Sequence, residues 1–256
     1  MQKLNVIKVG GGVVENPEAL GCLVDAFVSV KGPKVLVHGG GRTATEIAGK
    51  LGIESRMEGG RRITDGQMLK VVTMVYGGLI NKGIVARLQS RGVNALGLTG
   101  ADLNCILSVK RAVKEIDYGF VGDVKEVDSA ILSDLIARNV VPVMAPLTHD
   151  GKGNMLNTNA DTIASEVAKA LANDFDTTLT FCFEKKGVLS NPQDDDSVIG
   201  EITPSSYESL KADGIISGGM IPKLENAFQS LKAGVRSVVI TEAGELGKDT
   251  GTIVHL

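Results

Sequence analysis

The chain has 256 residues with 22% charged side chains and a formal net charge of -3. That is long enough to bury a core without covalent staples, and it offers no overall positive charge for nucleic acid or a membrane surface. Three scattered cysteines, Cys22, Cys105 and Cys182, argue for reduced thiols in a cytoplasm and against a disulfide framework.

No apolar run of the roughly 20 residues a membrane helix needs is read in the sequence. Met1 leads almost directly into a strand-like run, so no signal peptide is expected. That run, Leu4–Val9, ends in Gly10-Gly11-Gly12. Pro17–Val30 follows with apolar residues at helical spacing (Leu20, Leu23, Val24, Phe27), Asn16 as its cap and Pro17 at the first helical position. A second apolar run, Lys34–Val37, leads to Gly39-Gly40-Gly41. Strand, glycine turn, helix, strand and glycine turn form the βαβ pattern of a parallel sheet.

Thr43–Leu51 reads as a helix and Asp65–Gln89 as a long one, striped by Met68, Val71, Val72, Val75, Leu79 and Ile80. Ala95–Leu98 reads as a strand, and the alternation over residues 105–128 predicts antiparallel hairpins on the sheet edge. Helix Ser129–Arg138, strand Val140–Ala145, a hairpin turn at 149–154 and helix Ala160–Ala172 come next. Strand Thr177–Phe183, a polar loop at Ser190–Ile199, helix Met220–Ala233 and strand Val235–Thr241 complete the order. The expected fold is an open αβα sandwich with a mainly parallel central sheet and edge β-hairpins.

Glycine is unusually abundant, 32 residues in all, against a usual share of ~7%. Adjacent parallel strands of this kind end at one edge, where open α/β folds bind ligands, so both triglycine turns face one crevice. Glycine lets the backbone approach a ligand and aim N–H groups at phosphate oxygens. One triglycine is an ordinary tight turn; two, each after an apolar strand, point to a site. Lys8 strengthens this reading, because an ammonium among Val6, Ile7 and Val9 is costly without an anion. No Gly-x-x-x-x-Gly-Lys-Ser/Thr loop occurs. Gly39-x-Gly41-x-x-Ala44 matches a dinucleotide fingerprint formally, but it opens the second βα unit and lacks a clear acidic partner.

Three polar constellations remain. Asn157-Thr158-Asn159-Ala160-Asp161 begins a helix and carries more polarity than a cap requires. Lys223 follows Gly218-Gly219 in a first helical turn, where it opposes the dipole unless an anion lies alongside. Arg62 offers a guanidinium on a flexible glycine loop, suited to a carboxylate. Two lysines, an orienting aspartate and glycine amides suit phosphoryl transfer, which needs positioning and electrostatics more than covalent chemistry. A carboxylate acceptor, with pKa ~4.3, needs no general base. The three histidines, His38, His149 and His255, have no metal-ligand spacing, and no metal site is expected.

These motifs resemble the amino-acid kinase family along nearly the whole chain, most closely the members that phosphorylate N-acetylglutamate. The matching stretches are Ile7–Gly11, Val37–Gly41, Gly60–Thr64, Leu156–Asp161, Gly219–Lys223 and Gly251–Ile253. The resemblance implies ATP-dependent phosphorylation of the side-chain carboxylate of N-acetyl-L-glutamate in arginine biosynthesis, with another N-acylglutamate such as N-succinylglutamate as alternative acceptor. It implies that Lys8 and Lys223 stabilise the transferring group and that Asp161 holds both. Gly40, Gly41, Arg62, Asn157 and Asn159 would bind the substrate. Gly11 and Gly12 would contact ATP phosphates, with Glu184, Gly187, Leu189, Ile216 and Ser217 completing the nucleotide site and Mg2+ arriving with ATP.

The implied organisation is one domain, with an N-terminal lobe of about 1–171 for the acyl amino acid and dimerisation, and a C-terminal lobe of about 172–256 for ATP. A cytoplasmic homodimer through the helix within 65–89 is expected. It would lack arginine feedback, since only Met1–Lys3 stands where arginine-inhibited hexameric relatives carry an extra helix. Glu184-Lys185-Lys186 departs from the family's Asp-x-x-Gly stretch. That departure is the one support for a non-catalytic nucleotide or amino-acid sensor, which the retained Lys8, Asp161 and Lys223 oppose.

Overall fold

The computed structural model describes every residue except Asp249. Its centre is an eight-stranded sheet in the spatial order Glu201–Ile202, Thr252–Val254, Ser237–Glu242, Asp176–Phe183, Lys3–Val9, Lys34–His38, Val141–Met144, Ala95–Leu98. Every neighbouring pair is parallel except Ser237–Glu242 with Thr252–Val254. Continuous apolar runs are what a sheet covered on both faces requires, and all of Lys34–His38 is buried.

Alternation along Lys3–Val9 assigns its side chains to two layers. Leu4 and Val6 join the core beneath the helices Ser129–Ala137, Ala160–Leu171 and Met220–Lys232. Ile7 and Val9 join the opposite core beneath Pro17–Ser29 and the helical stretch 66–89. The result is the expected αβα sandwich. By the same period of two, Lys8 projects to the side of Leu4 and Val6, toward Ala160–Leu171.

The long helix from Gly66 to Gln89 is three segments: α-helical Gly66–Val72, a π-helical stretch Thr73–Ile80, and α-helical Asn81–Gln89, with Asp65 capping the start. By length and a mean hydropathy of 1.3 it could cross a bilayer, contrary to the sequence reading. Its buried Met68, Val71, Val72, Val75, Ile84 and Leu88 instead pack into the core of the sandwich.

The hairpin expected over residues 105–128 is present as Ile106–Lys110 and Gly122–Val127. It belongs to a separate four-stranded sheet with Leu147–His149 and Met155–Asn157, not to the main edge. Thr64 and Gly119 bridge this sheet to the loop before the long helix. Elements absent from the sequence reading include the short helix Gly11–Glu15, the strands Met57–Glu58, Arg61–Arg62 and Glu201–Ile202, the helix Pro204–Ala212 and the terminal strand Thr252–Val254.

Candidate active site

Lys8 reaches up from the sheet and Asp161 down from the first turn of Ala160–Leu171, and the two meet with Nζ 2.7 Å from Oδ1. Lys223, from the first turn of Met220–Lys232, approaches the other carboxylate oxygen at 3.6 Å. The Lys223 ammonium also lies 5.5 Å above the ring of Phe183. Burial pushes the Asp161 carboxyl up, but the charges of Lys8 and Lys223 outweigh it and hold the group below its ordinary value. Three elements far apart in sequence thus place two cations on one carboxylate.

The two glycine turns stand side by side. A Cβ on Gly11 would lie 3.6 Å from the amide nitrogen of Gly40 and 3.7 Å from that of Gly41. Gly10 alone remains extended in the first triglycine, because the short helix begins at Gly11. Gly40 has φ of +148°, and a Cβ there would meet Ile80 Cδ1 at 2.2 Å. Gly41 opens the helix Gly41–Lys50, whose first N–H groups have no intrahelical acceptor. Among the described residues, no backbone carbonyl takes the N–H of Gly11, Gly40 or Gly41. The pair of turns is therefore a cradle of free donors that a side chain would fill.

A cavity of about 220 Å³ opens beside it, lined by Gly39, Gly40, Gly41, Arg62, Asn157 and Asn159 among others. Ala160 and Thr162, flanking Asp161, reach its wall. Arg62 corrects the sequence reading of a free guanidinium on a flexible loop: it is only 7% exposed. Arg61–Arg62 pairs with Met57–Glu58 as a short two-stranded ribbon. Its Nη2 donates to the carbonyl of Gly41 at 2.7 Å and to Thr45 Oγ1 at 2.9 Å, and Nη1 donates to Ser55. Arg62 therefore joins the ribbon to the second glycine turn and lines the cavity with what remains of its fork.

Asn157 Nδ2 donates to Thr64 Oγ1 at 2.9 Å. Asn159 caps the Asp161 helix, its side-chain oxygen accepting from the amide of Thr162 at 3.0 Å. Tyr76, Arg111 and Asp123 also line the cavity and were not singled out in the sequence. Tyr76 sits in the π-helical stretch, and Arg111 pairs with Asp123 across the hairpin. The cross-strand pair is a signal for Arg111 and Asp123, while Tyr76 has none.

The residues implied for the nucleotide divide. Glu184 lies against Gly12, its Oε1 occupying the space a Cβ there would need. Arg42 stands 3.5 Å from the same oxygen. Ser217 is exposed just before the Lys223 helix. Gly187 is packed against Thr252, whose hydroxyl accepts the amide of Val188 at 2.8 Å. Leu189 and Ile216 are buried. Lys185 pairs with Asp195 at 2.6 Å and Lys186 with Asp196 at 2.5 Å, so the unusual lysines tie the end of the strand Asp176–Phe183 to the acidic loop. Among the described residues no group of three His, Cys, Asp or Glu could hold a metal ion.

Paired cations on an aspartate, beside glycine amides at the carboxyl edge of a parallel sheet, define a phosphoryl-transfer class of α/β protein. Comparison with known proteins gives the family. The chain belongs to the amino acid kinase family, whose profile matches residues 3–242. It is 66% identical over 251 residues to the acetylglutamate kinase of Bacteroides thetaiotaomicron, covering 98% of each chain. In structure it is similar to smu.665 from Streptococcus mutans UA159, with a TM-score of 0.79, 28% identity and 98% of each chain covered. Carbamate kinase from Giardia lamblia bound to AMP-PNP shares the fold, with a TM-score of 0.66 and 17% identity over 99% of this chain and 98% of that one.

Proposed function

We propose that this chain transfers the γ-phosphoryl group of ATP to the side-chain carboxylate of N-acetyl-L-glutamate, a step of arginine biosynthesis. The observation that carries the reading is the convergence of Lys8 and Lys223 on Asp161 at the rim of the glycine-lined cavity. The name carried by the 66% identical Bacteroides relative supports the acceptor.

In this reading a carboxylate oxygen attacks the γ-phosphorus, the bond to the β–γ bridging oxygen breaks, and ADP leaves. Charge spreads over the equatorial oxygens in transit, where the two ammonium groups neutralise it. Asp161 keeps both lysines aimed. Gly11 and Gly12 amides take phosphate oxygens, and Gly40 and Gly41 amides with Arg62 and Asn157 hold the acceptor. Mg2+ carried by the nucleotide's phosphates supplies further charge neutralisation, which fits a site whose Asp161 oxygens are already engaged by lysines.

The cavity is lined entirely from residues 11–162, which supports an acceptor lobe of about 1–171. Nucleotide contacts from Glu184, Gly187, Leu189, Ile216 and Ser217 fall in a lobe of about 172–256. Hydrogen exchange with AMP-PNP should protect 184–217; protection confined to the first lobe would contradict this division. Exposed Met74 and Leu79 on the π-helical stretch support a homodimer through that helix, and a monomer mass by light scattering would contradict it. The free cysteines support a cytoplasmic setting, open to a fractionation test.

The experiment for the reaction is ATP-dependent hydroxamate formation with N-acetylglutamate, N-succinylglutamate, glutamate and aspartate. Turnover favouring N-acetylglutamate is expected. Turnover favouring another acceptor would replace the substrate, and none with any would overturn the reading.

A further inference from the structure

His38 is the last residue of its strand, fully buried, and directly precedes the second glycine turn. Its Nδ1 lies 2.8 Å from the carbonyl oxygen of Gly39, and its Nε2 lies 3.1 Å from Nδ2 of Asn81. A carbonyl can only accept, so the ring proton is on Nδ1. Nε2 is then a lone pair, and the Asn81 amide is its donor. The second hydrogen of that amide goes to the carbonyl of Val143 at 2.9 Å. The orientation of Asn81 and the tautomer of His38 are thus fixed by the two carbonyls at the ends of the chain of bonds.

This chain of bonds ends on a particular peptide. The carbonyl of Gly39 and the N–H of Gly40 belong to one trans unit and point in opposite directions. Holding the oxygen on the His38 side turns the Gly40 N–H toward Gly11 and the cavity. The backbone at Gly40, with φ of +148°, has few steric constraints of its own, so an external restraint is what fixes it. The long helix supplies it. Ile80 and Tyr76 fill the space beside Gly40, and Asn81 holds His38. Room for Asn81 comes from Gly97, where a Cβ would lie 1.9 Å from Asn81 Oδ1.

We propose that His38 and Asn81 are positioning residues for the phosphoryl acceptor: they lock the Gly39–Gly40 peptide so that its N–H is presented to the bound carboxylate or to the phosphoryl oxygens. The inference rests on the proposed function and goes beyond it, since neither side chain lines the cavity.

The test compares H38L, which removes both bonds, with H38N, whose side-chain amide can still donate to Gly39 from about the place of Nδ1. For H38L, kcat is expected to fall about 10-fold to 100-fold and the acceptor KM to rise, while the KM for ATP stays near that of the parent. H38N is expected to recover most of kcat without recovering the melting temperature, a split that a merely structural role would not produce. Kinetics unchanged in folded H38L, or H38N as impaired as H38L, would overturn the proposal. If H38L does not fold, N81S decides, since it cuts the bond to His38 from outside the site. A raised acceptor KM supports the proposal, and parental kinetics overturn it. The parent protein is assayed first; if it turns over no acylglutamate, the proposed function fails and this inference with it, whereas parental turnover isolates the test to His38.

Discussion

Lys8 and Asp161 come from a strand and a helix more than 150 residues apart in sequence, yet Nζ and Oδ1 lie 2.7 Å apart. At that separation the two charges are in direct contact. The lysine is left with donors to spare for a ligand. An aspartate that orients two cations is expected to matter more in the transition state than in binding. Asp161→Asn should therefore lower kcat by about 10²-fold to 10³-fold, with a smaller change in either KM. Steady-state kinetics check this. Because Asp161 is held below its ordinary value, the acid limb of the pH–rate profile should lie below about pH 3.9 for this group, not at it.

His38 links pH to stability. Burial lowers its pKa to about 4, against the bond to Gly39, which raises it. The unfolded chain therefore binds a proton that the folded protein refuses at mildly acid pH. This contribution is fully present above about pH 6.5 and is lost as pH falls toward about 4. Its full size is about 3 kcal/mol. Urea denaturation midpoints between pH 7.5 and 4.5 should fall for the parent protein and fall less for folded His38→Asn.

The two glycine turns should respond differently to alanine. At Gly40 the added methyl meets Ile80 at 2.2 Å, and the backbone has φ of +148°. Gly40→Ala should lose both stability and activity, the former by at least about 2 kcal/mol. At Gly12 the obstacle is the end of the half-exposed Glu184 side chain, which can swing away. Gly12→Ala should keep the melting temperature within a few degrees while raising the KM for ATP. Calorimetry and kinetics on the pair separate the two cases.

Lys34 offers a control away from the site. It is 8% exposed, and its Nζ donates to the carbonyls of Phe27, Val28 and Val30 at 2.8, 3.1 and 2.6 Å. It thereby satisfies the carbonyl end of the helix Pro17–Ser29. Lys34→Met keeps the stem and strands the carbonyls of Val28 and Val30, at a cost of about 2 kcal/mol. Chemical denaturation should register the loss while kcat stays at the parental value.

The fold was legible where hydrophobic runs end in glycine, since strands buried on both faces and tight turns leave local signatures. The helix Pro204–Ala212 was also within reach: Thr203 and Ser206 form a capping box with Pro204 at the first position. The π-helical stretch was not, because its apolar stripe is that of an α-helix; Tyr76 and Ile80 of that stretch pack beside Gly40. The convergence of Lys8, Asp161 and Lys223 could be drawn from family resemblance but not from spacing, as it depends on sheet order. Arg62 reads as loop in the sequence because its partners Gly41, Thr45 and Ser55 give no sequence signal. Lys185 and Lys186 depart from the family pattern, and the sequence shows their partners Asp195 and Asp196 as a run of acids without the register that joins them.

The most direct test of the central claim follows the oxygen. N-acetylglutamate labelled with oxygen-18 in its side-chain carboxylate is incubated with ATP, the protein and hydroxylamine, and the released phosphate is read by phosphorus NMR. Attack by the carboxylate on the γ-phosphorus predicts phosphate carrying a single oxygen-18 atom, formed in step with hydroxamate and lost in Lys8→Ala. Unlabelled phosphate without hydroxamate, from folded protein that binds ATP, would contradict it.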